Sequence, residues 1–305
     1  MNANLLETAR LLAQVAPLVF ADSIFALKGG TAINLFVRDM PRLSVDLDLV
    51  FLDHRAERAD ALEQISTALP KAMERLKAQG FSAHLKATAG VGDMKLFVRR
   101  GASEVQAEVN FITRGTVKPA SSMSILPRAR EALRAELMLP VLSVEELYAG
   151  KLVAAMDRQH PRDLFDVHQL YLSGGITPEI RRCFVVYLAC HNRPIHEVLF
   201  PGLRDLTYDF ERGFLGMTTE PVALDVLVEV RQRLTQELPS SLDKDECRFL
   251  VSLARNQPEW GRLGIDHLEQ LPGIRWKVRN IGQLAEKNPT KYAAQADKLE
   301  QLLSR

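Results

Sequence analysis

Residues 44–51, SVDLDLVF, decide how this chain is to be read. Val45, Leu47 and Leu49 alternate with Ser44, Asp46 and Asp48, the period-2 pattern of a strand with one face in a core. Aspartate is disfavoured in strands, so two on one short strand ask for a compensating reason. Adjacent carboxylates on a rigid strand repel unless a cation stands between them, and a hard divalent ion such as Mg²⁺ takes such oxygen ligands. A solvated strand face satisfies the same pattern.

Upstream, Ile24–Lys28 is a short apolar run halted by Gly29-Gly30, and Thr31–Phe36 has helical character. Glycines let backbone N–H groups approach a phosphate, and a helix N-terminus favours the anion. Thr31 adds a hydroxyl and Lys28 a nearby charge. Gly-Gly ahead of a helix is also an ordinary turn; its place just before the acidic strand, in one short α/β unit, raises its value. Residues 2–20 read as an amphipathic helix, with Leu5, Leu6, Ala9, Leu12 and Ala16 at helical spacing.

Downstream, Ala56–Gln79 reads as a helix closed by Gly80. Phe81–Ala87, Met94–Arg99 and Val105–Ile112 read as strands, separated by Ala89-Gly-Val-Gly and Gly101-Ala-Ser. In the last strand Gln106, Glu108 and Asn110 share one face. If it lies beside the Asp46/Asp48 strand, Glu108 becomes a third carboxylate. Three acids can hold two Mg²⁺ ions, which would activate an attacking hydroxyl and clamp a triphosphate; an exposed polar face is the plainer alternative. The element order indicates a mixed sheet with helices.

The composition shifts near residue 140. Ser143 and Glu146 form a capping-box pattern opening a helix through about Met156, and Pro161 begins another that ends before Gly174-Gly175. Glu179–His191, Ala223–Gln236, Lys244–Arg255, Ile265–Gln270 and Ile281–Arg305 also read helical, with Leu271-Pro-Gly-Ile-Arg-Trp-Lys as the main interruption. The expectation is an α+β chain: a sheet domain over 1–140 and an α-helical domain over 141–305. Lys151 lies on an otherwise apolar helix, where it either snorkels to solvent or reaches for phosphate. Asp163 and Asp166 are i, i+3 neighbours able to pair with Arg158, Arg162 or Lys151. They serve either as structural ion pairs or to orient Lys151 toward a nucleotide.

Composition narrows the class. The chain has 305 residues, 47% hydrophobic, with 39 Lys+Arg against 38 Asp+Glu. That length suggests about two domains, and the near-zero charge excludes a chain basic throughout. A nucleic-acid partner would have to meet a local patch. Arg181-Arg182, Lys277–Arg279 and Lys287–Lys291 are candidates for such an RNA-contacting rim, or solvated faces. Cys183, Cys190 and Cys247 give neither a disulfide framework nor a zinc site. Cys190-His191 with His196 lacks zinc spacing, and no Ser/His/Asp elbow, Walker A loop or GxGxxG appears. Met123, Met138, Met156, Trp260 and Trp276 read as core. The start, MNANLLETARLLAQ, lacks the marks of a signal peptide, and no apolar run approaches the roughly 20 residues that span a bilayer. A cytoplasmic protein without a membrane partner is expected.

On KGGTAINLF (Lys28–Phe36), RLSVDLDLVF (Arg42–Phe51), AEVNF (Ala107–Phe111) and KLVAAMDRQHPRDLFDVHQL (Lys151–Leu170), the sequence resembles the AbiEii/AbiGii toxin family of nucleotidyltransferases. FLVSLARNQPEWGRL and LPGIRWKVRNI extend the likeness over nearly the whole chain. The resemblance implies a nucleotidyltransferase-fold domain and a helical domain completing a cleft for nucleotide and acceptor. Gly30 and Thr31 would hold the triphosphate, with Lys28, Gly29 and Ser44 beside them. Asp46 and Asp48 would bind Mg²⁺, Glu108 would be the third acid, and the family's Lys and Asp would map to Lys151 and to Asp163 or Asp166. Gly30-Thr31 stands where many nucleotidyltransferases have Gly-Ser, which keeps the hydroxyl.

Members of that family act as toxins of toxin–antitoxin pairs used against phage, with an AbiEi-like winged-helix antitoxin encoded nearby. MenT-like members add pyrimidine nucleotides to the tRNA 3′ end and block aminoacylation. The expected activity is therefore Mg²⁺-dependent transfer of a nucleotide from a nucleoside triphosphate to RNA, at a tRNA 3′ end. Transfer to a protein or small-molecule hydroxyl, and a nucleotide-binding interaction module without turnover, are the alternatives.

Overall fold

The computed structural model describes residues 2–22, 24–87, 93–111 and 113–304. Ala89-Gly-Val-Gly, Ile112 and Arg305, which figured in the expected separators and element ends, lie outside them. By internal contacts the chain divides into two compact units, Met1–Leu147 with Leu215–Pro221, and Tyr148–Phe214 with Val222–Arg305.

The first unit is built on one seven-stranded mixed sheet. Its strands are β1 (Phe25–Lys28), β2 (Asp46–Phe51), β3 (Ser82–Ala87), β4 (Asp93–Arg100), β5 (Ser103–Asn110), β6 (Ser121–Ser124) and β7 (Met138–Val141), in the order β3-β4-β5-β2-β1-β7-β6. β2 runs antiparallel to β1 and parallel to β5. Leu47, Leu49, Leu96, Val98, Val105, Ala107 and Val109 are all buried, the inward half of the period-2 pattern. Helices α1 (Ala3–Val19) and α3 (Arg58–Ala78) pack on this sheet with Ala9, Leu12, Ala16, Ile65, Leu69 and Leu76 buried. Between β1 and β2 the chain is helical from Gly29: α2 (Gly29–Ala32) continues into a π-helical turn over Ile33–Val37.

Two strands and a helix of this unit escape the sequence reading: β6, β7 and α4 (Pro127–Leu133). β6 reads SSMS and β7 reads MLPV; neither alternates, and β7 meets β1 at one register position, Leu27 with Val141. Met138, read as core, is 66% exposed at the start of β7. The segment 215–221 belongs to the first unit although it falls in the helical half of the sequence. Its backbone pairs with the run leading into β2: Leu43 N–H donates to Met217 O (2.9 Å) and Thr219 N–H to Pro41 O (2.8 Å).

Helix α5 (Val144–Asp157) carries the chain into the second unit. Ser143 Oγ accepts from Glu146 N–H at its start, while the Glu146 carboxylate, buried, accepts from Val117 and Lys118 N–H at 2.8 and 2.9 Å. The second unit is helical: α6 (Pro161–Tyr171), α7 (Pro178–Ala189), α8 (Ile195–Leu199), α9 (Thr207–Gly213), α10 (Leu224–Ser241), α11 (Lys244–Ala254), α12 (Pro272–Lys287) and α13 (Pro289–Leu303). The expected interruption at Leu271–Lys277 is instead the first turns of α12, with Pro272 at the opening position that needs no N–H donor. Residues expected as one helix from Ile281 form the end of α12 and all of α13. Ile265–Gln270 is reduced to a 3-10 turn over Leu268–Gln270.

Candidate active site

The glycine turn and the acidic strand are fitted to each other. Gly29 has φ +76°, in the region that side-chain-bearing residues avoid, and a Cβ there would overlap the Asp48 carboxylate, with Asp48 Cγ only 3.0 Å away. At Gly30 a Cβ would stand 2.8 Å from Arg42 Nη2 and 3.0 Å from Ser44 Oγ. The turn can therefore lie this close to Asp48 only because position 29 lacks a side chain, while position 30 faces the ends of the Arg42 and Ser44 side chains. The first N–H groups of a helix have no intrahelical partner and carry its positive dipole end, so they form a place for an anion.

Strand register gathers the acids. Asp48 pairs with Glu108 across the parallel β2–β5 ladder, and Asp46 with Gln106. Lys28 lies opposite Asp48 on β1, and Lys95 opposite Glu108 on β4. Side chains in one such row point to the same face, so Lys28, Asp48, Glu108 and Lys95 form a row across four strands. Asp46 sits two residues along that face, exposed, with Asp48 and Glu108 half-buried. Glu108 Oε2 is held by Lys95 Nζ at 2.8 Å and by Gln106 Nε2 at 2.9 Å. Asp46, Asp48 and Glu108 thus share a face, but among the described residues no three metal-ligating side chains are already gathered into a cluster. The all-carboxylate donor set suits a hard divalent cation, and the bare Gly29 lets the Asp48 carboxylate lie directly against the start of the helix. These features fit Mg²⁺ at Asp46 and Asp48; Glu108 would first have to leave Lys95.

Thr31 departs from expectation. Its side chain is 1% exposed, and its hydroxyl donates to Asp46 O at 2.6 Å while lying 3.0 Å from Ser44 Oγ. The proton expected to meet a phosphate is committed to the backbone of the acidic strand. Thr31 pins the helix start to β2, and Asn34 Nδ2 donates to Gly30 O one turn later. Ser44, outside the strand proper, is half-buried beside the turn.

In the second unit Lys151 neither snorkels nor presents itself for a phosphate. It is 7% exposed and pairs with Asp163 Oδ1 at 2.8 Å and Asp166 Oδ2 at 3.0 Å, both acids 1% exposed. Arg158 grips Asp163 from the other side through Nε (2.5 Å) and Nη2 (3.0 Å). Burial pushes the Asp163 carboxyl up, but Lys151 and Arg158 outweigh it and hold the group below the usual carboxylate range. Two cations meet two anions, so the cluster is balanced within its own unit and ties α5 to α6. Both aspartates serve Lys151.

Sequence reasoning passed over Arg42 and Lys95. Arg42 is 3% exposed and abuts Gly30; its signal was the i, i+2, i+4 alternation running back from Ser44. Lys95 carried no signal until β4 and β5 were paired. Of the basic patches, Arg181 is bound to Asp243 (3.2 Å) and Glu246 (2.7 Å), and Lys277 is buried, whereas Lys287 and Lys291 are exposed. His191 is near Asp157 (3.6 Å) rather than part of a metal set. Met156 is buried as expected; Trp260 and Trp276 are half-buried. No helix among the described residues is long and apolar enough to cross a membrane.

No curated protein matches the sequence. The fold is similar to that of MenT4, a nucleotidyltransferase toxin from Mycobacterium tuberculosis H37Rv, with a TM-score of 0.59 at 21% identity over 92% of this chain and 94% of that one. Residues 10–280 match the family described as nucleotidyl transferase AbiEii toxin, type IV TA system. The chain belongs to the AbiEii family of nucleotidyltransferase toxins of type IV toxin–antitoxin systems.

Proposed function

We propose that the protein transfers a nucleotide from a nucleoside triphosphate to the 3′ end of an RNA, a tRNA, with Mg²⁺ as cofactor, and thereby blocks translation. The observation that supports this reading best is the fit between Gly29 and Asp48: an anion-accepting helix start is held against a carboxylate that faces Glu108. A phosphate chain and a divalent cation are the pair such a junction suits.

In this reading the N–H groups at Gly29 and Gly30 receive the phosphates, with Lys28 and the Ser44 hydroxyl beside them. Asp46 and Asp48 would hold the cation, and Glu108, released from Lys95, would complete the set. The bound ion would supply charge neutralisation and a more acidic acceptor hydroxyl. The acceptor oxygen bonds to the α-phosphorus, the bond from that phosphorus to the bridging oxygen breaks, pyrophosphate departs, and the hydroxyl proton passes to Glu108. Thr31, Asn34 and Arg42 position the turn. Lys151, Asp163 and Asp166 act as positioning residues that fix α5 against α6. The antitoxin of the pair is taken to be an AbiEi-like protein encoded nearby, and the setting to be phage defence in the cytoplasm.

Purified protein incubated with each α-labelled nucleoside triphosphate, Mg²⁺ and total cellular RNA should place label on a discrete tRNA-sized band. Label on protein or on a small molecule would move the reading to another acceptor. Triphosphate binding without pyrophosphate release on any acceptor would reduce it to an interaction module.

A further inference from the structure

The helical unit contains a cavity of about 300 Å³ lined from α8, the end of α11, α12 and α13. Every lining residue belongs to the second unit, so it involves none of Gly29, Asp46, Asp48 or Glu108. Its volume lies at the small end of ligand sites, which run to roughly 300–1,000 Å³. No aspartate or glutamate lines it, whereas Lys277, Lys291 and His196 do.

Lys277 is the unusual member. Its side chain is 6% exposed, and its Nζ donates to two main-chain carbonyls, His191 O at 2.8 Å and Arg193 O at 2.6 Å. Among the described residues no carboxylate stands within ion-pair distance of it; the nearby Glu197 is engaged by Arg193 at 3.0 Å. A buried ammonium without a counter-ion is costly, and burial pulls its pKa down to about 8. His196 feels the same field: burial first, then the charges of Lys298 and Lys277, lower its pKa against the opposing pull of Glu197. Two backbone carbonyls leave one of three ammonium protons to offer.

The rest of the lining is suited to a flat, polar-edged ring. Tyr292 supplies an aromatic group, aliphatic side chains supply apolar wall, and the carboxamides of Asn280 and Gln295 each carry both donors and an acceptor. Cations for phosphate, an aromatic surface and carboxamides for base edges are the parts from which proteins assemble sites for unpaired nucleotides. We propose that this cavity binds a single nucleotide, its phosphate met by Lys277 and its base set among Tyr292, Asn280 and Gln295. Such a nucleotide is supplied either by a free monophosphate or by the end of an RNA strand.

Equilibrium binding on the full chain tests this. The probes are the four ribonucleoside 5′-monophosphates, the matching nucleosides, inorganic phosphate and a six-nucleotide single-stranded RNA. A monophosphate or the oligonucleotide should bind once per chain and at least tenfold more tightly than nucleoside or phosphate alone. Preference for the monophosphate identifies a free nucleotide as the ligand, and preference for the oligonucleotide identifies a strand end. Asn280→Asp and Lys291→Glu, which put negative charge in the lining without emptying the core, should each weaken binding at least tenfold with the thermal midpoint retained. Asp48→Asn should leave binding unchanged whether or not the enzyme turns over. Lack of binding by both nucleotide probes, inorganic phosphate binding equally well, indifference to Asn280→Asp and Lys291→Glu, or loss of binding in Asp48→Asn would each overturn the proposal.

Discussion

Replacing Gly29 by alanine perturbs the candidate site at one atom. The new Cβ meets two penalties. Holding φ at +76° costs an L-residue on the order of 1–2 kcal/mol. The methyl also takes space held by the Asp48 carboxylate, and Asp48 Cγ at 3.0 Å must retreat to an ordinary contact, a displacement of up to about 1 Å at Cγ and more at the nearer carboxylate oxygen. A misplacement of that size costs on the order of 100-fold in rate when the group positions reactants. The variant should therefore lose about 1–2 kcal/mol of stability and far more activity than that loss explains.

Gly30→Ala is the control. Its Cβ meets the far ends of Arg42 and Ser44, side chains able to give way, and Gly30 is not among the positive-φ residues. It should retain most of its stability and lose less activity. Urea titration of each variant, read beside single-turnover label transfer from an α-labelled triphosphate, separates the two penalties. Transfer by Gly29→Ala within threefold of wild type would refute the reasoning, because the carboxylate would then not have to be where Gly29 permits it.

Asp48→Ala should abolish transfer and growth arrest while leaving the circular dichroism spectrum and melting curve close to wild type; retained transfer removes Asp48 from the cation. Asp163→Asn leaves Lys151 buried with half its compensation and should cost about 3–5 kcal/mol in urea unfolding, whereas joint replacement of Lys151, Asp163 and Asp166 by Met, Leu and Leu should cost much less. Because the folded-state pKa of Asp163 is depressed, its stabilisation is complete above the unfolded value of about 3.9 and is lost as pH falls below it toward the folded value. The wild type should therefore lose stability below about pH 4 more steeply than the triple variant. Thr31→Val, which leaves Asp46 O without its buried donor, should cost about 1–3 kcal/mol, and Thr31→Ser much less.

What could be read from the sequence is what a period carries. Residues 44–49 and 105–110 alternate strictly, so β2, β5 and the outward direction of Asp46, Asp48 and Glu108 follow from the residues alone. That Glu108 faces Asp48 depended on strand order, which periodicity does not contain; the parallel register supplied it. β6 and β7 have four residues each and no alternation of polar and apolar residue types, so their pairing with neighbours is what identifies them as strands. Pro272-Gly273 reads as a breaker, yet a proline at the first helical position is a start signal; the residues are the same in both cases. Charge was the least legible property. Lys277 stands in a basic run, and nothing local shows that its stem passes inward to two carbonyls. Lys151 equally gave no sign of which of two aspartates it would meet. It meets both.

The row Lys28–Asp48–Glu108–Lys95 poses a question about cost that Lys95 answers in part and a bound cation would answer further. Like charges directly opposite on neighbouring strands are destabilising, and Asp48 and Glu108 are such a pair. Lys95 relieves it by binding Glu108 at 2.8 Å, with side chains about 30% exposed. A pair so open to water contributes at most about 1 kcal/mol, and the same lysine competes with any cation for Glu108. Lys95→Met should therefore lower the melting temperature slightly without Mg²⁺ and raise the stabilisation that Mg²⁺ provides, since stabilisation grows as the logarithm of occupancy over Kd. Melting curves across a Mg²⁺ series, with Asp48→Asn/Lys95→Met as the second arm, read this directly. If the Mg²⁺-induced shift is the same in wild type and Lys95→Met, Glu108 is not a ligand. If it survives in the double variant, the ion binds elsewhere, and the row is an electrostatic arrangement of the sheet alone.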